Sequence, residues 1–170
     1  GWRDEFSDAE HSKRQRRYHD VGRTASVYTP GFIVNGEEWR GFFSLIERGR
    51  PPITAEQAQV GELTLQGKED TFQIEFSPIT KPSQTLIINL AYLGTDLSTE
   101  IKRGENAGKR LKHDFVVLAH TTQRLKARGD NFTAALRRGN VKNATAVAAW
   151  VSRPDDPAPI QAVGGWLAVH

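Results

Sequence analysis

Thr71-Phe72-Gln73-Ile74-Glu75-Phe76 alternates polar and apolar side chains without a break. A strand turns successive side chains to opposite faces, so Phe72, Ile74 and Phe76 share one side. Gly67-Lys68-Glu69-Asp70, just before it, is turn composition, and Glu62–Gln66 alternates again. This spacing predicts a β-hairpin. The pattern continues outward. Thr85–Leu93 is a continuous apolar strand, Leu97–Arg103 follows Gly94, and Gly104-Glu105-Asn106-Ala107-Gly108 leads into Arg110–His120. Phe132–Leu136, Ala144–Val151 and Ile160–Val169 complete the series. About eight strands with turns rich in Gly, Asn and Pro predict an antiparallel sandwich.

Toward the N-terminus the reading changes. Ser7-Asp8-Ala9-Glu10 matches a capping box, in which Ser hydroxyl and Glu carboxylate satisfy free backbone N–H groups. A polar helix is expected from Asp8 to about Asp20, stopping at Gly22. Ser26–Val34, the turn signal Asn35-Gly36 and a return strand from Trp39 to Phe43 read as a hairpin, and Ser44–Arg48 as a short helix. Arg50-Pro51-Pro52 is the best boundary, dividing the chain into 1–50 and 51–170. One polar helix and one hairpin cannot enclose a core. Their partners are expected upstream of Gly1, in the β domain or in another chain.

Composition narrows the chemistry. Among 170 residues there is no cysteine and no methionine, so disulfides, thiolate nucleophiles and Cys-based metal sites are excluded within the chain. The missing Met leads us to expect a processed or truncated chain, with room for a signal peptide before it. A net charge of +3, without a basic patch interleaved with aromatics, gives no reason to expect nucleic acid. Lys13, Arg14, Arg16 and Arg17 fan around the helix and read as a solvated face, with an anion-binding surface as the alternative. The longest apolar run, Leu86–Leu93, is strand-sized, so no membrane span is expected.

Neither a cofactor nor a metal is expected, since His11 and His19 lie about two helical turns apart without further ligands. His113-Asp114 suggests a dyad, but adjacent strand residues point apart. His113 shares a face with Leu111, Phe115 and Val117 and reads as a core-edge histidine. The loop from Gly104 to Gly108 lacks P-loop spacing and reads as a hairpin turn. No nucleophile, base and orienting acid converge, so the catalytic set is none.

Gly1-Trp2-Arg3-Asp4-Glu5-Phe6-Ser7, Arg14-Gln15-Arg16-Arg17-Tyr18, Val27-Tyr28-Thr29-Pro30 and Val34-Asn35-Gly36 together carry a resemblance. So do Arg103–Leu111 with His113 and Val116-Val117, and Ala162-Val163-Gly164-Gly165-Trp166. In that order they resemble domain-of-unknown-function family 1223, bacterial secreted proteins with a thioredoxin-like N-terminal domain. The resemblance implies an α+β fold class: a partial thioredoxin-like element of helix plus β-hairpin, followed by an antiparallel β-sandwich-like domain. It implies an extracytoplasmic (periplasmic or secreted) setting and a chain that starts after the family's Cys-x-x-Cys motif. Thr29 and Pro30 would then match the cis-proline turn facing that dithiol. Glu105, Asn106 and His113 are the polar residues of the family signature.

The expected function is the downstream part of a thioredoxin-like protein linked to thiol–disulfide chemistry but lacking its cysteines. The alternative is a non-enzymatic β-sandwich binding module for a protein or glycan partner. Exposure of Trp39, Trp150 or Trp166 would favour the alternative, although mid-strand tryptophan is expected to be core. Self-association through the N-terminal hairpin is a further expected contact.

Overall fold

A computed structural model describes residues 6, 8–29, 31–40, 60–102 and 107–168. β1 (Ile33–Val34) and β2 (Glu37–Glu38) form a short hairpin. Asn35 (φ 54°) and Gly36 (φ 88°) make its turn, both in the left-handed region that a two-residue type I′ turn requires. β3 (Gly61–Lys68) and β4 (Thr71–Pro78) pair antiparallel in the register Lys68↔Thr71 through Gly61↔Pro78. The buried members of β4 are Phe72, Ile74 and Phe76.

The remaining strands are β5 (Ile87–Gly94), β6 (Leu97–Glu100), β7 (Arg110–His113), β8 (Val116–Arg124), β9 (Lys126–Arg128), β10 (Asn131–Arg137), β11 (Ala146–Ser152) and β12 (Gln161–Trp166). They build two four-stranded antiparallel sheets, in the orders β3-β4-β10-β9 and β12-β11-β5-β8, while β6 and β7 form a separate pair. The strand expected over Arg110–His120 is broken at Asp114-Phe115. There the Asp114 carboxylate accepts the Asp96 N–H at 2.8 Å and Phe115 takes φ 56°. Strand β9 was not foreseen.

The core lies between the two large sheets. Leu63, Phe72, Ile74, Phe76, Phe132, Ala134 and Leu136 meet Ile88, Leu90, Tyr92, Val147, Ala149 and Val151. Period two then sends Asn89, Ala91, Ala146, Ala148 and Trp150 to the outer face of the β12-β11-β5-β8 sheet. Asn89 is satisfied there, donating to Ser152 Oγ at 3.0 Å and to the Trp150 carbonyl at 3.3 Å.

Helix α1 (Ala9–Asp20) begins one residue later than the capping-box reading places it. Asp8 is the N-cap, its carboxylate accepting the Glu10 N–H at 2.8 Å. The helix and hairpin are held by the β11–β12 connection. Arg17 donates to the Pro154 carbonyl at 2.9 Å, Tyr18 donates to the Pro157 carbonyl at 3.1 Å, and Arg23 pairs with Asp156 at 2.6 Å and with Glu37. Burial pushes the Asp156 carboxyl up, but the Arg23 guanidinium and the Ala158 N–H outweigh it and hold it below its ordinary value.

Gly36 closes the seam. A Cβ there would lie 2.6 Å from the Ala158 Cβ, at a φ that side chains rarely adopt. Gly36→Ala is expected to cost about 2 kcal/mol in left-handed strain and contact. It should speed hydrogen exchange at the Glu38 and Trp39 amides while leaving β4 and β5 protected.

The expected α+β class with a partial thioredoxin-like element does not hold. Strands make up 49% of the described residues against 9% in one helix, in several antiparallel sheets. The hairpin is a two-stranded sheet by itself, and α1 packs on the β11–β12 connection instead of covering a sheet built with the hairpin. The physical reason lies in α1, whose single buried residue is Tyr18. One aromatic anchor can dock a helix on a loop, but it supplies no apolar stripe for a helix-on-sheet layer.

Candidate functional site

Between α1, the segment from Thr24 to Glu38 and the outer face of β11 and β12 lies an open cleft of about 890 Å3. Tyr18, Tyr28, Phe32 and Trp150 give it aromatic walls, and Ala148 and Ala162 form a small-residue floor. The indole of Trp150 is flanked by two planar groups. His120 of β8 stacks at 5.3 Å with 4° between the rings, and the Arg14 guanidinium lies 5.0 Å from the indole centroid. Arg14 also lies 5.2 Å from the Tyr18 ring and donates to its hydroxyl at 3.1 Å. Gln15 donates to the Tyr28 carbonyl at 2.5 Å, tying α1 to the far wall. Two side-chain atoms of the lining, Thr24 Oγ1 and Trp150 Nε1, are buried without a hydrogen-bond partner among the described residues.

Burial lowers the Arg14 pKa, with Arg17 adding repulsion, yet a guanidinium remains a cation at neutral pH. Burial likewise lowers His120, assisted by Arg14 and His11 and opposed by Glu10. All three neighbours reach it from α1. The neutral imidazole is therefore the form that stacks on Trp150. A depressed histidine contributes stability that is complete above the unfolded value of about 6.5 and is lost as pH falls through the folded value. Lowering the pH from 7.5 to 5 is expected to reduce the urea midpoint, and His120→Gln to flatten that dependence. Asp156, held below its ordinary value, titrates in a lower window than His120.

The residues singled out from sequence fall in different places. Thr29 is exposed and lines the cleft. Pro30, Glu105 and Asn106 lie outside the described residues. His113 is on β7, where its Nε2 is 2.8 Å from the hydroxyl of buried Thr99, and its ring meets that of Phe6, a lining residue of the cleft, at 5.4 Å. Asp114 is engaged with the Asp96 N–H, so these two residues form no dyad. Among the described residues no group of three His, Asp or Glu side chains could hold a metal ion, and no helix is long and apolar enough to cross a membrane.

Sequence reasoning missed Arg14, Trp150 and His120 as neighbours. The available signal was the alternation of β11: Val147, Ala149 and Val151 on one face place Trp150 on the other. Trp150 and Trp39 are half-buried and Trp166 is 69% exposed, against the expectation of burial.

These features define an antiparallel β-sandwich capped by a helix and a hairpin, with a cleft under the cap. The chain belongs to the family described as "Protein of unknown function (DUF1223)", whose model matches residues 1–152. The Ala162–Trp166 stretch of the resemblance lies beyond that match. In fold the chain is similar to the X-ray structure of a protein from Agrobacterium tumefaciens (TM-score 0.66, 19% identity), over 100% of this chain and 78% of that one. It is also similar to HBP35 of Porphyromonas gingivalis (TM-score 0.59, 17% identity), over 98% of this chain and 61% of that one. No curated protein matches it. At these identities the likeness concerns the fold alone. The expected link to thiol–disulfide chemistry finds no support in these matches, and the chain holds no cysteine.

Proposed function

We propose that this chain is a non-catalytic ligand-binding module whose ligand enters the cleft beneath α1. The observation that carries this is the cleft itself: about 890 Å3, with aromatic walls and a few placed polar groups. Small-molecule sites have this character and span ~300–1,000 Å3. A ligand-observed NMR screen of neutral, acidic and basic fragments tests the reading. Hits are expected with the native chain and should vanish with Ala148→Leu, which fills the floor. Hits that persist in that variant would place binding elsewhere.

Self-association through the hairpin is the second reading, favoured by Val27 and Ile33, which are 46% and 38% exposed. Sedimentation as a strict monomer at high concentration would remove it. An extracytoplasmic setting, implied by the family resemblance, belongs to the same proposal and is checked by cell fractionation.

A further inference from the structure

We propose that the cleft takes a ligand carrying a single carboxylate on an apolar body, with the Arg14 guanidinium as its charge receptor. This deepens the ligand-binding reading and rests on it. Three other arginines around the cap reach a carboxylate, whereas Arg14, like Arg17, reaches none among the described residues. Arg23 pairs with Glu37 and Asp156, Arg40 with Glu38, and Arg153 approaches Asp156 at 4.0 Å. No carboxylate among the described residues pairs with Arg14, and the hydrogen bond it makes goes to a neutral phenol. A guanidinium has five N–H donors, so most of its bonding capacity is unspent.

Among the described residues no carboxylate pairs with it, and Arg17 adds a like charge beside it. Among the described residues two carboxylates line the cleft, and both are engaged: Asp8 caps α1, and Glu38 holds Arg40 and the Ala25 N–H. Desolvating an unpaired cation is costly, and an incoming anion offsets that cost. Two aromatic rings hold the guanidinium in place, which reduces the entropy lost when it engages a ligand.

The geometry favours a carboxylate over phosphate. The guanidinium fork can pair in bidentate fashion with either group, so charge and the surrounding walls decide between them. A dianion would call for further donors, whereas the walls beside Arg14 are aromatic. A monoanion with an apolar body uses both features at once.

Calorimetric titration of the full chain with indole-3-acetate, indole-3-acetamide and inorganic phosphate tests this. The acid is expected to bind about tenfold or more tighter than the amide, the scale of a charge-assisted hydrogen bond. Arg14→Met should remove that advantage, with an unchanged circular dichroism spectrum and urea midpoint verifying that the variant is folded. Arg14→Lys should recover part of it. Equal binding of acid and amide, abolished by Ala148→Leu, would overturn the carboxylate inference and leave the ligand site standing. Phosphate binding without the acid would overturn it as well. Absence of binding by either indole at millimolar concentration would overturn the inference, and a fragment screen without hits would take the ligand-site reading with it.

Discussion

Tyr18→Ala is expected to release α1 from the sandwich while both four-stranded sheets stay folded. Tyr18 is the only buried residue of α1, at 5% exposure, and its hydroxyl donates to the Pro157 carbonyl at 3.1 Å. The rest of the helix is polar, and a 12-residue helix is marginal in water without something to pack on. Truncating a buried aromatic costs about 3–5 kcal/mol, more than one docked helix of this kind can lose. The variant should lose helical circular dichroism and amide protection in α1, with β4, β5 and β11 still protected. Tyr18→Phe, which removes one hydrogen bond, should cost about 1 kcal/mol and keep the helix docked. Persistent α1 protection in Tyr18→Ala would contradict this picture.

Phe76→Ala acts on the whole molecule. Phe76 is 1% exposed, faces Leu63 and Phe132 across the two neighbouring strands, and belongs to the inter-sheet core. The loss is expected to be about 3–5 kcal/mol, a large share of the ~5–15 kcal/mol that holds a domain together. Urea denaturation should show a much lower midpoint, with both large sheets melting together. Phe76→Leu should cost much less, about 1.5 kcal/mol. A loss under 1 kcal/mol for the alanine would mean that the sheets do not pack through this residue.

The strands were legible because their alternation is local. Phe72, Ile74 and Phe76 face the core as period two requires, and Asn35-Gly36 makes the turn its dihedrals demand. The break at Phe115 was not legible, since an aromatic residue at positive φ has no signature in composition. The class of the N-terminal segment was misjudged for a related reason. Its anchors are carbonyls of Pro154 and Pro157 and the carboxylate of Asp156, more than 130 residues away in the chain. No periodicity announces such contacts, and the family resemblance supplied a thioredoxin-like layer that the antiparallel sheets do not contain.

The cleft was legible only in part. The run Lys13, Arg14, Arg16 and Arg17 reads as a solvated face or an anion-binding surface, and α1 separates its members. Lys13 pairs with exposed Glu10, Arg17 reaches Pro154, and Arg14 turns onto Trp150. Assigning Trp150 to the core ignored the parity set by Val147, Ala149 and Val151. Counting that parity places Trp150 on the outer face, although nothing in sequence says that α1 covers it there.

Trp150 is the closest reporter of ligand entry, because its indole forms a wall of the cleft whereas Trp166 lies outside it. In 15N-labelled protein titrated with indole-3-acetate, the Trp150 indole N–H resonance should shift progressively and saturate, with that of Trp166 unmoved. A saturating shift of Trp166 alone, or no shift at either indole, would show that the cleft beneath α1 is not where this chain binds.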